Sequence, residues 1–185
     1  PYPLFAYTGL LFWNIFANSL GNASQSLIGS ANIIQKVYLP KVIIPAASII
    51  VTLVDFLFSA MVFTLLLIYY QFMPHAEGLL LLPICLFITI LTGLGLGWFF
   101  SAVNVKYRDV RYVLPFFIQL LIYITPVIYP VSVIPQKFQW ILYLNPMTGV
   151  IETFKAAFLG TGEIVLMNLG ISAIMSVVFL IFGLA

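Results

Sequence analysis

Charged residues are scarce in this sequence: five Asp and Glu, seven Lys and Arg and one His, or 6% charged in 185 residues. A soluble domain carries about a quarter, so an ordinary soluble domain is excluded. The basic residues fall mainly in short clusters between apolar runs, which excludes a nucleic-acid face. The single cysteine, Cys85, sits inside an apolar run and leaves no intrachain disulfide and no metal cluster. The single histidine, His75, lies beside Pro74 in a polar loop, where exposure accounts for it. No Ser/His/Asp, Cys/His or paired-carboxylate constellation can be assembled, so no catalytic residue is assigned. A Gly-x-x-x-x-Gly-Lys-Ser/Thr phosphate loop is also missing. With no cofactor or metal of its own, a chain that moves a substrate actively must receive energy from another polypeptide.

What is present is hydrophobic: 63% of the residues, in runs that match the roughly 20 residues needed to cross a bilayer. The sequence predicts an all-α polytopic membrane protein with spans at about 4–30, 46–70, 79–103, 113–129 and 164–185. It begins at Pro1 and ends inside an apolar run, as a fragment of a longer transmembrane domain would. Segment 31–45, Ala-Asn-Ile-Ile-Gln-Lys-Val-Tyr-Leu-Pro-Lys-Val-Ile-Ile-Pro, is basic and bounded by Pro40 and Pro45. Proline lacks an N–H and clashes with the preceding turn, so the flanking runs cannot fuse into one helix.

Polar residues inside the spans carry the functional signal. Asn14, Asn18, Asn22, Gln25, Gly29 and Asn32 recur at steps of three or four and share one helical face. Lipid leaves amide hydrogen bonds unmet, so this face either bonds to another helix or walls a hydrophilic path. Asp55 is an intramembrane acid with no cation in its own helix; a structural hydrogen bond and a transport role are both open. Gly93 and Gly97 have the small-xxx-small spacing of closely packed helices, and no strand precedes them to make a dinucleotide fingerprint. Tyr112, Phe116, Gln119 and Tyr123 share a face, followed by Tyr129; packing is one reading, and a surface on which sugar rings stack is the other. Residues 131–162, with Lys137, Trp140, Asn145-Pro146, Glu152 and Lys155, read as two short amphipathic helices hinged near Asn145-Pro146 and dipping into one leaflet.

Span parity puts segment 31–45 and loop 104–112 on one side. Together they hold five of the seven basic residues, and loop 71–78 opposite holds none. Short basic loops stay in the cytoplasm, which makes both segments cytoplasmic and 131–162 external.

The stretches Tyr2-Pro3-Leu4, Asn32 through Lys41, Asn104-Val105-Lys106-Tyr107-Arg108-Asp109-Val110-Arg111, Thr125 through Pro130 and Asn145-Pro146-Met147 span most of the chain. In order and spacing the sequence resembles the membrane-spanning permease of ABC-2 type exporters. The similar branch exports polysaccharides and polyol phosphates such as O-antigen, capsule and teichoic acid. The resemblance implies a six-helix subunit whose first span is absent here, a homodimer enclosing the path, and a separate ATPase that holds ATP and Mg. It implies that Asn32, Gln35, Lys36, Tyr38 and Lys41 belong to a coupling helix docked on that ATPase. Lys106, Arg108, Asp109 and Arg111 form the second cytoplasmic loop. On this reading Tyr112, Phe116, Gln119, Tyr123 and Tyr129 would line the channel, and Trp140, Asn145 and Pro146 would lie in an external gate hairpin. Val42 departs from the family, which often has an acidic residue after the second basic position. The expected function is export of a lipid-linked polysaccharide across the bacterial cytoplasmic membrane, with lipids, the ATPase and a second copy as partners. The rivals are an ABC-2 drug or small-lipid exporter and, further off, an integral-membrane enzyme of glycan assembly.

Overall fold

A computed structural model of the protein describes residues 2–34, 36, 40, 42–107, 109–162 and 164–184; for 33, 34 and 136 it describes the backbone alone. Regular structure among the described residues is helical: α1 (Tyr2–Gly29), α2 (Ala31–Ile34), α3 (Ile43–Tyr69), α4 (Ala76–Lys106), α5 (Val110–Ile124), α6 (Gln136–Tyr143), α7 (Pro146–Leu159) and α8 (Leu166–Leu184), with a 3₁₀ turn at Val131–Val133. Helices α3, α4 and α8 are long and apolar enough to cross a membrane. Helix α1, with 28 residues, also has the length, but its amide stripe lowers its hydrophobicity.

Helix α4 sits at the centre, packed on α1, α7 and α8. Its glycines explain that position. A Cβ on Gly93 would lie 2.5 Å from Ser19, and one on Gly97 2.5 Å from Ala23, so the two glycines seat α1. Gly95 points elsewhere: its Cβ would lie 2.5 Å from the Leu180 nitrogen of α8. Small residues permit such approach, and dispersion supplies the attraction that lipid-solvated helices otherwise lack. Asn104 donates from α4 to the Ser24 carbonyl of α1 at 2.9 Å. Several buried hydroxyls bond within their own helices, as when Thr8 donates to Leu4 and Thr92 to Ile88.

Helix α3 buries one narrow face, Pro45, Ile49, Thr52, Phe56 and Phe63, chiefly against α1. Tyr7 fixes that pairing: its ring stacks on Phe63, centroids 5.5 Å apart, and its hydroxyl donates to the Ser59 carbonyl at 3.2 Å.

Helix α5 ends at Ile124, short of the apolar run expected over 113–129. Thr125 is extended (ψ 137°) because Pro126 follows it, and residues 125–130 fold back across the bundle. The expectation of two amphipathic helices fits α6 but not α7. Every α7 residue except Glu152 is buried, since α7 is enclosed by α1, α4 and α8 rather than lying at an interface.

Candidate translocation and docking surfaces

The two basic segments lie at the same end of the bundle, at the α1–α3 turn and after the C-terminus of α4. Trp98 of α4 donates to the Val42 carbonyl at 3.2 Å, and Asn104 bonds α1 near its C-terminus. In segment 31–45, Asn32 and Lys36 are exposed, while Gln35, Tyr38 and Lys41 lie outside the described residues. In the second segment Lys106, Asp109 and Arg111 are exposed, and Arg108 lies outside the described residues. The Arg111 guanidinium donates to the Tyr112 hydroxyl at 2.7 Å and covers its ring at 4.9 Å; Lys106 sits 5.4 Å over the Tyr107 ring. These stacks hold the cations at the edge of the apolar zone, where aromatic rings and long basic stems are both accommodated.

Helix α5 buries Leu114 and Ile118, packs Leu121 and Ile122 partly against the core, and leaves its other face exposed. Tyr112, Phe116 and Tyr123 are 70%, 62% and 74% exposed, and Gln119 beside them is exposed too. Tyr129 is placed differently from these four. Its hydroxyl donates to the Tyr123 and Ile124 carbonyls, each at 3.0 Å, so it caps the end of α5. The amide stripe (Asn14, Asn18, Asn22, Gln25 and Gly29 of α1, with Asn32 of α2) is exposed throughout, with no helix of the described chain lying over it. Asp55 is exposed on α3, and its backbone carbonyl accepts from Ser59.

At the opposite end the two proline motifs come together. Asn145 caps α7, accepting from the Met147 N–H at 3.0 Å, while its amide donates to the Thr125 hydroxyl at 2.8 Å. Pro146 takes the first helical position, where its missing N–H costs nothing. Trp140 is exposed on α6. Tyr143 donates to Glu152 at 2.7 Å; burial, then the bond to Glu152 and its charge, push the phenol up to about 12. The hydroxyl therefore keeps its proton and the bond at any physiological pH. Helix α7 stops at Gly160, whose φ of 65° favours glycine, and the His75 ring packs beside it.

Sequence reasoning missed the part played by Lys155. Its side chain is only 3% exposed. The ammonium donates to the Val127 and Pro126 carbonyls, at 2.6 and 3.1 Å, and lies 3.9 Å over the Phe5 ring. Gly9 leaves the room: a Cβ there would strike the Val127 carbonyl and come within 3.0 Å of the lysine. The available signal was the Thr125-Pro126 break, which frees carbonyls that need a donor once buried.

These features define a membrane-embedded helical domain with a helix broken at Pro126 and a basic cluster at one end. The chain belongs to the ABC-2 type transporter family, which matches residues 3–159. It is 32% identical over 158 residues to the O-antigen export system permease protein RfbA of Klebsiella pneumoniae, covering 85% of this chain and 61% of that protein. A like-named protein of Myxococcus xanthus is 28% identical over 159 residues, with the same coverage. The chain thus spans about three-fifths of the length of these relatives.

Proposed function

We propose that this chain is part of the membrane-spanning subunit of an ABC exporter that moves a lipid-linked polysaccharide across the bacterial cytoplasmic membrane. A separate ATPase, holding ATP and Mg, docks on segment 31–45, and two copies of the subunit enclose the path. The observation that carries this reading is the uncovered polar and aromatic surface: the amide stripe of α1 and the Tyr112, Phe116, Gln119 and Tyr123 face of α5. Lipid cannot satisfy exposed amides, whereas a glycan can bond to them and stack its C–H faces on the rings. The likeness to permeases named for O-antigen export supports the substrate class. The second cytoplasmic loop, with Lys106, Arg108, Asp109 and Arg111, offers a second docking point, and Trp140, Asn145 and Pro146 serve the external gate.

Two experiments test this reading. Combining Lys36→Glu with Lys41→Glu should weaken binding to the ATPase about tenfold or more while membrane insertion is unchanged. Undiminished co-purification would remove the coupling role. Phe116→Ala with Tyr123→Ala should lower glycan export about tenfold and leave ATPase assembly intact; equal loss of both would mark the face as packing surface.

A further inference from the structure

The cations and acids near the exposed polar stripe bear on which chains could pass. Neither α1 nor α3 contains Lys, Arg or His, and α3 adds a carboxylate, Asp55. The Tyr7–Ser59 hydrogen bond sets the register of this antiparallel pair. Asp55 lies one turn from Ser59, so it stands level with the α1 residues about one turn beyond Tyr7, close to where the stripe begins at Asn14. Tyr7 lies seven residues before Asn14, on the stripe's side of α1, and Ser59 four residues after Asp55, on its side of α3; the bond between them points the stripe and Asp55 toward one flank of the pair. The buried Lys155 ammonium is already taken by two carbonyls and the Phe5 ring. Arg111 is bound to Tyr112 at the basic end.

We propose that the α1 stripe with Asp55 of α3 is a binding surface for an uncharged, hydroxyl-rich chain, and that it disfavours a chain bearing phosphodiesters. The proposal rests on the export reading above and narrows it. Amides both donate and accept, as sugar hydroxyls do, and a carboxylate accepts from two neighbouring hydroxyls at once. A phosphodiester brings only acceptors and a negative charge. On this flank it could accept from the amide N–H groups, but neither α1 nor α3 supplies a cation to offset its charge, and the one ionisable group they add there is an acid, Asp55.

The test uses the full-length permease with its ATPase in proteoliposomes. Two polymers on the same lipid anchor and of similar length are supplied, one neutral and one with a phosphodiester in every repeat. The neutral polymer should be exported about tenfold faster. Asp55→Asn should narrow that ratio, and Asn18→Lys should narrow it further by speeding the phosphate polymer. Equal or faster export of the phosphate polymer by the unaltered protein would overturn the proposal, as would a ratio unmoved in both variants when both assemble normally. So would efficient disulfide formation between Asn18→Cys residues of two copies in the resting complex, because the face would then be covered by its partner. Export of neither polymer, with ATP hydrolysis intact, would overturn the export reading itself and this proposal with it.

Discussion

Gly95→Leu is expected to abolish recovery of folded protein, the largest effect of any single substitution in the central helix. A Cβ at Gly95 would lie 2.5 Å from the Leu180 nitrogen, 2.6 Å from the Phe179 carbonyl carbon and 2.7 Å from the Leu180 Cα. All three are backbone atoms of α8, so no rotamer change can make room. From the other side, a Cβ added at Gly183 of α8 would strike the Gly95 carbonyl. A leucine would have to push the helices apart and lose much of the α4–α8 contact along with the glycine crossing. Overpacking by a few methylenes costs about 1–3 kcal/mol in cores that can shift, and here the obstacle is main chain. Gly95→Ala should lower the midpoint of thermal unfolding in detergent, and Gly95→Leu should leave only aggregated material. A Cβ added at Gly170 of the same α8 would have nothing within 4 Å, so Gly170→Ala should leave the midpoint unchanged or raise it slightly. A wild-type midpoint for Gly95→Leu would contradict the crossing.

The contrast between these two glycines shows what could be read from the sequence. The Gly93/Gly97 spacing identified a close helix contact, and the structure supplies the partner, Ser19 and Ala23. Gly95, between them, faces α8, because helical residues two apart point about 200° apart; spacing alone could not say which helix it met. The apolar runs became helices because a bilayer permits little else. The exposed faces of α1 and α5 were legible as stripes of amides and aromatics at helical period. Two features were not. Tyr129 falls near the aromatic stripe in sequence, yet the helix stops at Ile124 and the ring turns back to cap it. Helix α7 carries Glu152 and Lys155 and so reads as amphipathic, yet Tyr143 holds the acid and the broken end of α5 holds the lysine. Both misreadings have one cause. Their polar groups are satisfied by carbonyls or hydroxyls from residues 5 to 29 positions away in sequence, and side-chain period carries no record of those partners.

Lys155→Met is expected to destabilise the protein by about 2–4 kcal/mol, and the sign depends on what the lysine's partners are. Replacing a buried ion pair by apolar residues is often neutral, because both desolvated charges disappear together. Here the partners of the ammonium are main-chain carbonyls, those of Pro126 and Val127, and no side-chain substitution removes them. Each buried acceptor left without a donor costs about 1–3 kcal/mol. Relief of the lysine's own desolvation offsets part of the sum, and loss of its contact with the Phe5 ring adds to it. Lys155→Arg should not restore stability, since the space left by Gly9 and bounded by Phe5 fits a compact ammonium better than a planar guanidinium. Lys155→Glu should be worse than Met, because it would set a carboxylate against two carbonyl oxygens and an aromatic face. Thermal unfolding in detergent measures the loss, and amide exchange locates it. In Lys155→Met the amides of residues 127–129 should exchange faster, while those of α4 at Thr89 and Thr92 keep their protection. Unaltered exchange at 127–129 with a wild-type midpoint would mean that the folded-back end of α5 is held by the Asn145–Thr125 and Tyr129 bonds without the lysine.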